Sequence, residues 1–445
     1  MRRLLVLLLQ LAVIVVVAFL LIDHPGRAHI VWHDKVIDTS ASFLGLLVLV
    51  AAFVLYLLFR IWHGLRYGFE NRRLRRSLKN LEQGQIHLTQ GLVAIAGGHA
   101  AEAGRLAVAA RKKLGTTTAT LLLQAQAAQL AHDHRAARSL FLTMVERDES
   151  AVLGYRGLIM EARRAEDWDE VERLMTEVAR LKPDMPWLDW VRFESASRRQ
   201  AWLEAGDALA RLAPTRLLDA DTVRHHRAAL LIATSQDEAA QGSAAAALES
   251  AEQAVKQTPN GLPALINLAR RQASGDYARA LRRTLEKAWA IQPHPQLADV
   301  LKGSGQDVME IYKQLTRLCR DTENDPVSHL VLAEAALAAD IWGEARRHLI
   351  ALITRNQATQ NAYRLLAKLE RRESGDERAA MQWLTKAAEA APDPVWLCSS
   401  CGAAHDDWHA TCRACGTFAT QEWRSPGASR HTTPTPAPLL SDWTG

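Results

Sequence analysis

The sequence contains few cysteines, few aromatic residues and only a small excess of positive charge. Five cysteines in 445 residues are too few for a disulfide-rich scaffold, and four of them lie close together near the C-terminus. The formal net charge of +5 results from 54 basic and 49 acidic residues, so no chain-wide nucleic-acid surface is indicated. With 48% apolar and 23% charged residues, the composition is that of a globular chain rather than a disordered one.

Motifs that would indicate catalysis are also missing. The sequence has no nucleophile–base arrangement, no glycine-rich phosphate loop and no helical pair of histidines around a glutamate. It lacks Cys-x-x-Cys-His, the pattern for covalent haem attachment, so binding of haem or porphyrin is not evident, although it stays open. We therefore predict that the protein is not an enzyme.

Two long apolar runs lie near the N-terminus. Residues 4–22 and 43–59 are each long enough to cross a hydrocarbon layer of about 30 Å as a helix. The first run exceeds the apolar core of a secretory signal and ends in Asp-His-Pro-Gly rather than at a small-residue cleavage site. We predict a membrane anchor over residues 1–62 with two spans. The connection at 23–42 alternates enough for a short hairpin, with a plain loop as the alternative.

Basic residues predict the orientation of the anchor. Arg2 and Arg3 precede the first run, seven basic residues follow the second run, and the connection contains only Arg27 and Lys35. Both termini are therefore expected on the cytoplasmic side. The basic segment 63–83 is expected to be a juxtamembrane helix that contacts lipid headgroups.

Residues 84–395 are rich in Ala and Leu at helical spacing and carry almost no strand signal. Segments typical of a turn between two helices recur, as in HDHRAARSLF and DIWGEARRHLI, and Pro259 and Pro293 close two units 34 residues apart. A period of 34 residues is that of tetratricopeptide repeats. We predict an all-α fold in which this region resembles a tetratricopeptide solenoid. Its readable units begin near residues 84, 118, 152, 262, 326 and 361.

Small residues are expected where the two helices of a unit cross, since they allow the backbones to approach. In the unit that begins at Leu262, the packed positions are Leu265, Ala269, Ala280, Leu281, Leu285 and Ala288. In the unit at 326–359 they are Leu332, Ala333, Ala336, Ala345 and Leu349. Residues 186–258 are less regular, and SQDEAAQGSAAAALES is interpreted as a lengthened loop between helices.

Isolated histidines and one cysteine receive a structural interpretation. The pairs His132/His134 and His225/His226 are expected to be solvated residues at helix ends rather than metal or haem ligands. Cys319 is expected to be an ordinary buried helix residue.

The strongest motif is CSSCGAAHDDWHATCRACG at 398–416, two Cys-x-x-Cys-Gly pairs separated by ten residues. In a cytoplasmic segment, such thiols favour metal binding over disulfides. The glycine after each pair relieves the tight bend and lets backbone amides point at sulfur. The expected ligands are Cys398, Cys401, Cys412 and Cys415. Four thiolates leave no open coordination position, so we predict a structural zinc site; a single iron ion has the same ligands and is the alternative, and His405 and His409 are spare candidates.

Aromatic residues flank the cysteines. Trp396, Trp408, Phe418 and Trp423 are expected to form a small core that joins the knuckle, residues 396–424, to the last helix pair. A partner-binding face is the alternative interpretation of these aromatics. Residues 425–445 have the composition of a disordered tail.

The whole arrangement resembles the HemY family, inner-membrane tetratricopeptide proteins of proteobacteria associated with late protohaem synthesis. Pro25-Gly26, Val31-Trp32 and Thr39-Ser40 carry the resemblance within residues 23–62. The segment WLCSSCG…CRACGTFATQEW is similar to a C-terminal extension of some members. The resemblance implies a bacterial inner-membrane location and a haem-pathway role, without supplying a reaction.

Two non-catalytic functions follow as hypotheses. The first is a membrane-anchored scaffold whose solenoid binds partner proteins, namely late haem-pathway enzymes, with membrane lipid as a further partner and no nucleic acid. The alternative is a regulatory tetratricopeptide adaptor with a rubredoxin-like C-terminus that controls envelope lipid synthesis through a membrane protease. Such adaptors typically have one span, so the number of spans separates the two hypotheses.

Overall fold

The computed structural model describes Phe19 and residues 27–32, 35–275 and 277–427. The strands are β1 (Arg27–Trp32), β2 (Lys35–Ser40), β3 (Val395–Cys398), β4 (Ala404–His405) and β5 (Gln421–Arg424). The first helices are α1 (Ala41–Ala96), α2 (Ala100–Leu114), α3 (Thr118–Leu130), α4 (His134–Val145), α5 (Ala151–Arg164), α6 (Trp168–Leu181), α7 (Pro186–Arg198) and α8 (Trp202–Leu212). The remaining helices are α9 (Ala220–Ala240), α10 (Ala244–Gln257), α11 (Leu262–Ala273), α12 (Ala278–Ile291), α13 (Pro295–Lys302), α14 (Val308–Leu318), α15 (Pro326–Ala338), α16 (Trp342–Thr354), α17 (Gln360–Glu373) and α18 (Glu377–Glu389).

A β-hairpin precedes the first long helix. β1 and β2 pair antiparallel, with Arg27 opposite Ser40 and Trp32 opposite Lys35, so the predicted hairpin is confirmed. Helix α1 begins directly after β2 and continues for 56 residues. At 1.5 Å per residue it is about 84 Å long. The predicted second span, the juxtamembrane helix and the first repeat helix are thus parts of one unbroken helix.

The segment Phe43–Trp62 of α1 is long and apolar enough to cross a membrane. None of its strongly apolar window is buried against the rest of the described chain. It is the one helix with these properties among the described residues. The predicted first span at 4–22 lies outside the described residues except for Phe19, so the two-span anchor stays a prediction.

Two compact units divide the chain, and the first comprises Met1–Glu161. Its core between α1, α2 and α3 is built largely from alanine, which lets these helices pack closely. Gly157 of α5 lies against Phe141 of α4 so closely that an added Cβ would be 2.3 Å from the phenyl ring. Small residues therefore set the helix crossings in this unit, as the repeat pattern predicts.

The second unit, Ala162–Gly445, continues the series of helix pairs joined by short turns. The first helices of successive pairs also contact one another: α9 contacts α11, and α11 contacts α13. We call the surface formed by α9, α11 and α13 the first-helix face. The helical-repeat class predicted from the sequence is therefore confirmed by the structure.

Most of the predicted packing positions are buried. Leu265, Ala269, Leu285 and Ala288 lie in the core, whereas Ala280 and Leu281 are only half-buried. All five residues predicted for the unit at 326–359 are buried. Local periodicity thus identifies the core faces well.

The region 186–258 is more regular than its sequence indicates. The interpretation of SQDEAAQGSAAAALES as a lengthened loop is wrong, because α9 continues to Ala240 and α10 begins at Ala244. The alanines of this segment favour helix, because alanine has the highest helix propensity. The two helices are also joined by a hydrogen bond that the Ser235 hydroxyl donates to the Ala247 carbonyl at 2.7 Å. The sequence pattern also missed the pair α13–α14, since α13 has only eight residues.

The turns within the pairs share one backbone feature. A residue shortly before the second helix has a left-handed conformation, with φ of 56–59° at His132, Glu166, Gln200 and Asp340. Gly98, Gly242 and Gly375 hold the corresponding place in other turns. In these seven turns a left-handed residue reverses the chain after the first helix, and this explains their polar segments in the sequence.

Candidate metal centre and its docking surface

The structure brings the four predicted cysteines together. Their Sγ atoms all lie within 4.8 Å of one another, and the pairs Cys398–Cys415 and Cys401–Cys412 are each 3.8 Å apart. A tetrahedral ion with metal–sulfur bonds of about 2.3 Å requires sulfur–sulfur edges of about 3.8 Å. The four cysteines could therefore hold one metal ion.

Both Cys-x-x-Cys-Gly turns have the same backbone geometry. The Gly402 amide donates to the Cys398 carbonyl at 2.9 Å, and the Gly416 amide donates to the Cys412 carbonyl at 2.8 Å. The two glycines have φ of 77° and 68°, in the left-handed region that favours glycine. The sequence therefore predicts these two turns correctly.

A small three-stranded sheet supports the first turn. Strand β3 lies between β4 and β5 and pairs antiparallel with both, with Trp396 opposite His405 and Trp423. Cys398 ends β3, so the sheet positions the first ligand. The residues of the knuckle thus form a compact module around the sulfur cluster.

Hydrogen bonds to sulfur come from side chains that sequence reasoning missed. The hydroxyls of Thr420 and Thr417 lie 3.2 Å and 3.0 Å from the Sγ atoms of Cys398 and Cys415, respectively, and can donate to them. His405 Nε2 lies 3.3 Å from Cys412 Sγ, so this spare candidate is a hydrogen-bonding neighbour of the cluster. His409 is not in the metal-competent group identified among the described residues. The sequence feature that could have predicted one of these hydrogen bonds is the position of Thr417, two residues after Cys415.

Burial and hydrogen bonds shift the pKa values of Cys412 and Cys415 in opposite directions. Burial raises the pKa of Cys412. Burial also acts to raise the pKa of Cys415, but hydrogen bonds from the Thr417 hydroxyl and amide outweigh it and, with neighbouring thiols, lower that pKa to about 6. A cation at the centre would stabilise all four groups as thiolates at neutral pH.

The knuckle docks on the C-terminus of α7. Arg198 donates from Nη2 to the Cys415 carbonyl at 2.8 Å, and its guanidinium lies 4.6 Å above the centre of the Trp168 ring. The Thr411 hydroxyl donates to the Ser197 carbonyl at 3.1 Å. An added Cβ at Gly416 would lie 2.1 Å from the Arg198 guanidinium, so the contact also requires a glycine there.

A second contact joins the loop between the cysteine pairs to the first-helix face. Arg270 of α11 and Gln296 of α13 both donate to the Asp407 carboxylate, at 2.8 Å and 2.7 Å. Gln296 also donates to the Asp406 carbonyl at 2.9 Å. The adjacent Trp408 packs on apolar residues of α9 and α11.

Aromatic stacking completes the docked surface. The Trp423 and Trp396 rings lie 4.1 Å and 5.4 Å from the His294 ring, centre to centre. Phe418 packs 5.1 Å from Phe193 of α7 and 5.5 Å from His226 of α9. The four predicted aromatics therefore do contribute to a shared core.

The position of that core corrects one prediction. The aromatics were expected to join the knuckle to the last helix pair, and this is wrong, because they pack on helices α7 to α13. Among the described residues, α17 holds only the segment before β3: the Asn361 amide donates to Asp393 Oδ2 at 3.0 Å, and the Gln360 amide donates to the Ala391 carbonyl at 3.0 Å. The segment between α18 and β3 therefore connects the last helix pair to a knuckle that packs on earlier helix pairs.

The histidine pairs and Cys319 form no metal site in the described part of the chain. His134 accepts or donates one hydrogen bond at 3.0 Å with Glu161, and His132 and His225 are exposed. The interpretation of His226 as a solvated residue is wrong, since it is half-buried against Phe418. Cys319 is buried, as predicted, and burial raises its pKa to about 12.

Fold and site together define a membrane-associated helical repeat protein with a four-cysteine cluster. Residues 26–132 match the family described as the HemY protein N-terminus, so the predicted resemblance to HemY proteins is confirmed over this segment. The match includes the hairpin, the whole of α1 with its membrane-competent segment, and helices α2 and α3, and it ends within the turn before α4.

Two further comparisons concern parts of the chain. A segment of 189 residues is 31% identical to the probable magnetosome protein Mms48 of Magnetospirillum gryphiswaldense, covering 42% of this chain and 42% of that protein. A tetratricopeptide repeat protein of known structure from Parabacteroides merdae is 14% identical and covers 56% of this chain and 93% of its own, with a TM-score of 0.29. At that TM-score the superposition adds nothing to the fold assignment, which stands on the helix pairs themselves.

Proposed function

We propose that the protein is a membrane-anchored scaffold whose helix pairs bind late protohaem-pathway enzymes at a bacterial inner membrane. The observation that supports this most directly is the HemY N-terminal match, which extends from the hairpin through the membrane-competent segment into the repeats. Because α1 is unbroken, a partner bound to the repeats would be held close to the bilayer. Porphyrins are poorly soluble, so transfer between adjacent enzymes would be useful there.

The four cysteines are proposed to hold a structural zinc ion. Four thiolates close the coordination shell, which suits a structural role, and the sulfur spacing fits the tetrahedral geometry. Metal analysis of the purified chain should give about one zinc per chain. Iron with the absorption bands of a four-thiolate ferric centre would instead support the rubredoxin-like alternative.

Both termini are proposed to face the cytoplasm, with two spans. A phosphatase domain that is active only outside the cytoplasm, inserted into the connection at 23–42, is expected to be active. The same domain fused after residue 97 is expected to be inactive. Activity after residue 97 would contradict the proposed orientation.

Partner capture tests the scaffold. The tagged full chain is crosslinked in cells and purified from detergent-solubilised membranes, and its partners are identified by mass spectrometry. Enrichment of the oxidase and ferrochelatase steps of haem synthesis is expected. A chain truncated after residue 97 retains the membrane-competent segment and serves as the control, since it reports membrane proximity alone.

The regulatory adaptor is the second candidate, and the four-cysteine knuckle packed on the repeats favours it. It predicts that the same purification enriches a membrane protease together with enzymes of envelope lipid synthesis. Capture of those proteins without the haem enzymes would replace the scaffold by the adaptor. Equal capture by the full chain and the truncated control would contradict both.

A further inference from the structure

We propose that the first-helix face of α9, α11 and α13 is a binding site for acidic peptide segments that carry an aromatic residue, and that residues 402–411 of the knuckle are its built-in ligand. This inference deepens the proposed scaffold function and rests on it. It names the chemistry of the segment that a partner would present. It also makes the knuckle an internal competitor of that partner.

The charged part of the site is formed by two helices. Arg270 on α11 and Gln296 on α13 converge on one oxygen of Asp407, and Gln296 additionally takes the carbonyl of Asp406. A cation and an amide that bind a carboxylate and the preceding backbone carbonyl recognise a short acidic segment at a bend of the chain. No cysteine atom takes part in these hydrogen bonds, so a free acidic peptide could make them equally.

The apolar part of the site is the surface of α9 and α11 on which the Trp408 ring packs. Trp408 also lines a small cavity there, together with Ile232, Pro263 and Ile266. A half-buried indole held in a cleft between helices is typical of the anchor residues that dominate peptide binding. An acidic side chain followed directly by an aromatic one therefore matches the site.

A buried amide shows that the cleft retains unused hydrogen-bonding capacity. Asn267 is 3% exposed and lines the cleft beside Trp408. Its Nδ2 donates to the Ser235 hydroxyl at 3.0 Å, but its Oδ1 has no hydrogen-bond partner within the described part of the chain. A buried acceptor without a donor is costly in a structure, and a ligand that brings an N–H group to this point would satisfy it.

The knuckle competes with a partner's peptide for the first-helix face because its loop is part of the same chain. A ligand on the same chain acts at an effective concentration of about millimolar, so a free peptide binds weakly while the loop is seated. The loop begins after Cys401 and ends before Cys412, so the metal-bound cysteines hold its two ends together. Disabling the cluster should therefore release the loop and open the site.

The test measures binding of a fluorescently labelled peptide with the sequence of residues 402–411, GAAHDDWHAT, to the full-length protein in detergent. The wild-type chain loaded with zinc is compared with Cys412→Ser/Cys415→Ser by fluorescence anisotropy. The variant is expected to bind the peptide about tenfold or more tightly than wild type. Adding Arg270→Ala and Gln296→Ala to the variant should remove this gain. Arg282→Ala, an exposed arginine of α12 that pairs with Glu286, is the matched control and should preserve it.

A second variant covers the case in which the cysteine variant loses helical content. Trp408→Ala in the zinc-loaded chain empties only the indole position while Asp407 stays bound, and the probe is then N-acetyl-Trp-amide. This probe is expected to bind the variant about tenfold more tightly than wild type, because its indole can fill the vacated cleft. Metal content equal to that of wild type would show that the knuckle is intact.

The outcomes separate this inference from the scaffold proposal. Equal probe binding by wild type and both opened variants would overturn the inference. So would decapeptide binding to the cysteine variant that Arg270→Ala and Gln296→Ala leave unchanged. If haem-pathway enzymes are nevertheless captured in cells, the scaffold stands and partners use another surface. If the peptide binds as expected but no haem enzymes are captured, the site stands and the proposed partners are wrong.

Discussion

Gly242, in the turn between α9 and α10, has φ of 82°, and a Cβ added there would meet no atom within 4 Å. Gly206 lies within α8, also with open space around an added Cβ. The same substitution should therefore have opposite effects. Gly242→Ala is expected to destabilise the protein by about 1 kcal/mol through backbone strain, and Gly206→Ala to stabilise it by about 1 kcal/mol.

Thermal unfolding of the two variants, followed by circular dichroism in the same detergent, measures this difference. Each variant is the other's control, because both add one methyl group at an uncrowded position. Melting temperatures that move in the same direction would contradict the backbone explanation.

His226 should make the docked knuckle sensitive to acid. Burial lowers the pKa of His226 to about 4; a hydrogen bond to the Thr222 carbonyl at 2.9 Å and the nearby Asp219 act to raise it, and His225 to lower it further. The unfolded chain, with a pKa near 6.5, takes up a proton first as the pH falls, so stability is lost from about pH 6.5 down to about pH 4. At pH 5 the loss should be about 2 kcal/mol.

The variant His226→Phe tests this, since Phe keeps the ring that stacks on Phe418 but cannot be protonated. Melting temperatures are compared between pH 7 and pH 5. Wild type is expected to lose more stability than the variant over this interval. Parallel pH dependence in the two proteins would show that His226 is not the responsible group.

At the scale of elements, the crossing of α4 and α5 depends on Gly157. An added Cβ would be 2.3 Å from the Phe141 ring, so Gly157→Ala must move the ring or the helix. We expect a loss of about 1–3 kcal/mol, the range for overpacked cores, in spite of the higher helix propensity of alanine. Gly104→Ala in α2, where nothing lies within 4 Å of an added Cβ, is the control and should stabilise the helix. The comparison is made by thermal unfolding, and a stable Gly157→Ala protein would contradict the packing.

The sequence predicted the individual helices better than it predicted how they pack together. Helices from α3 to α6 and from α15 to α18 follow from apolar periodicity and alanine content, both of which are local properties. The short helix α13 was missed because eight residues give about two turns, too few for a clear period. The Ala-rich start of α10 was interpreted as a loop because the polar residues around it interrupt the apolar periodicity of its packed face.

At the scale of the whole molecule, the metal cluster should control the docked state of the knuckle. In Cys412→Ser/Cys415→Ser we expect loss of the proposed metal and faster proteolysis in the loop 402–411, with helical content preserved. The physical reason is that the cluster holds both ends of the loop that contains Asp407, and it holds the turn whose Cys415 carbonyl accepts the hydrogen bond from Arg198. Metal analysis, limited proteolysis and circular dichroism measure the three quantities.

Cys319→Ala provides the control for this experiment, because Cys319 is a buried thiol outside the cluster. Its metal content and its proteolysis in the loop 402–411 should equal those of wild type. If the double serine variant retains both its metal and its protease resistance, the four-cysteine assignment is wrong.

The sequence by itself determined most of the helix pairs, the membrane-competent segment and the two cysteine turns, since each is specified by residues close together along the chain. Only the tertiary structure decided where the knuckle docks. Arg270 and Asp407 are separated by 137 residues, and Arg198 and Cys415 by 217. Such contacts depend on how successive pairs pack and where α18 directs the chain, and no local period encodes them. The first-helix face therefore became visible only in the folded molecule.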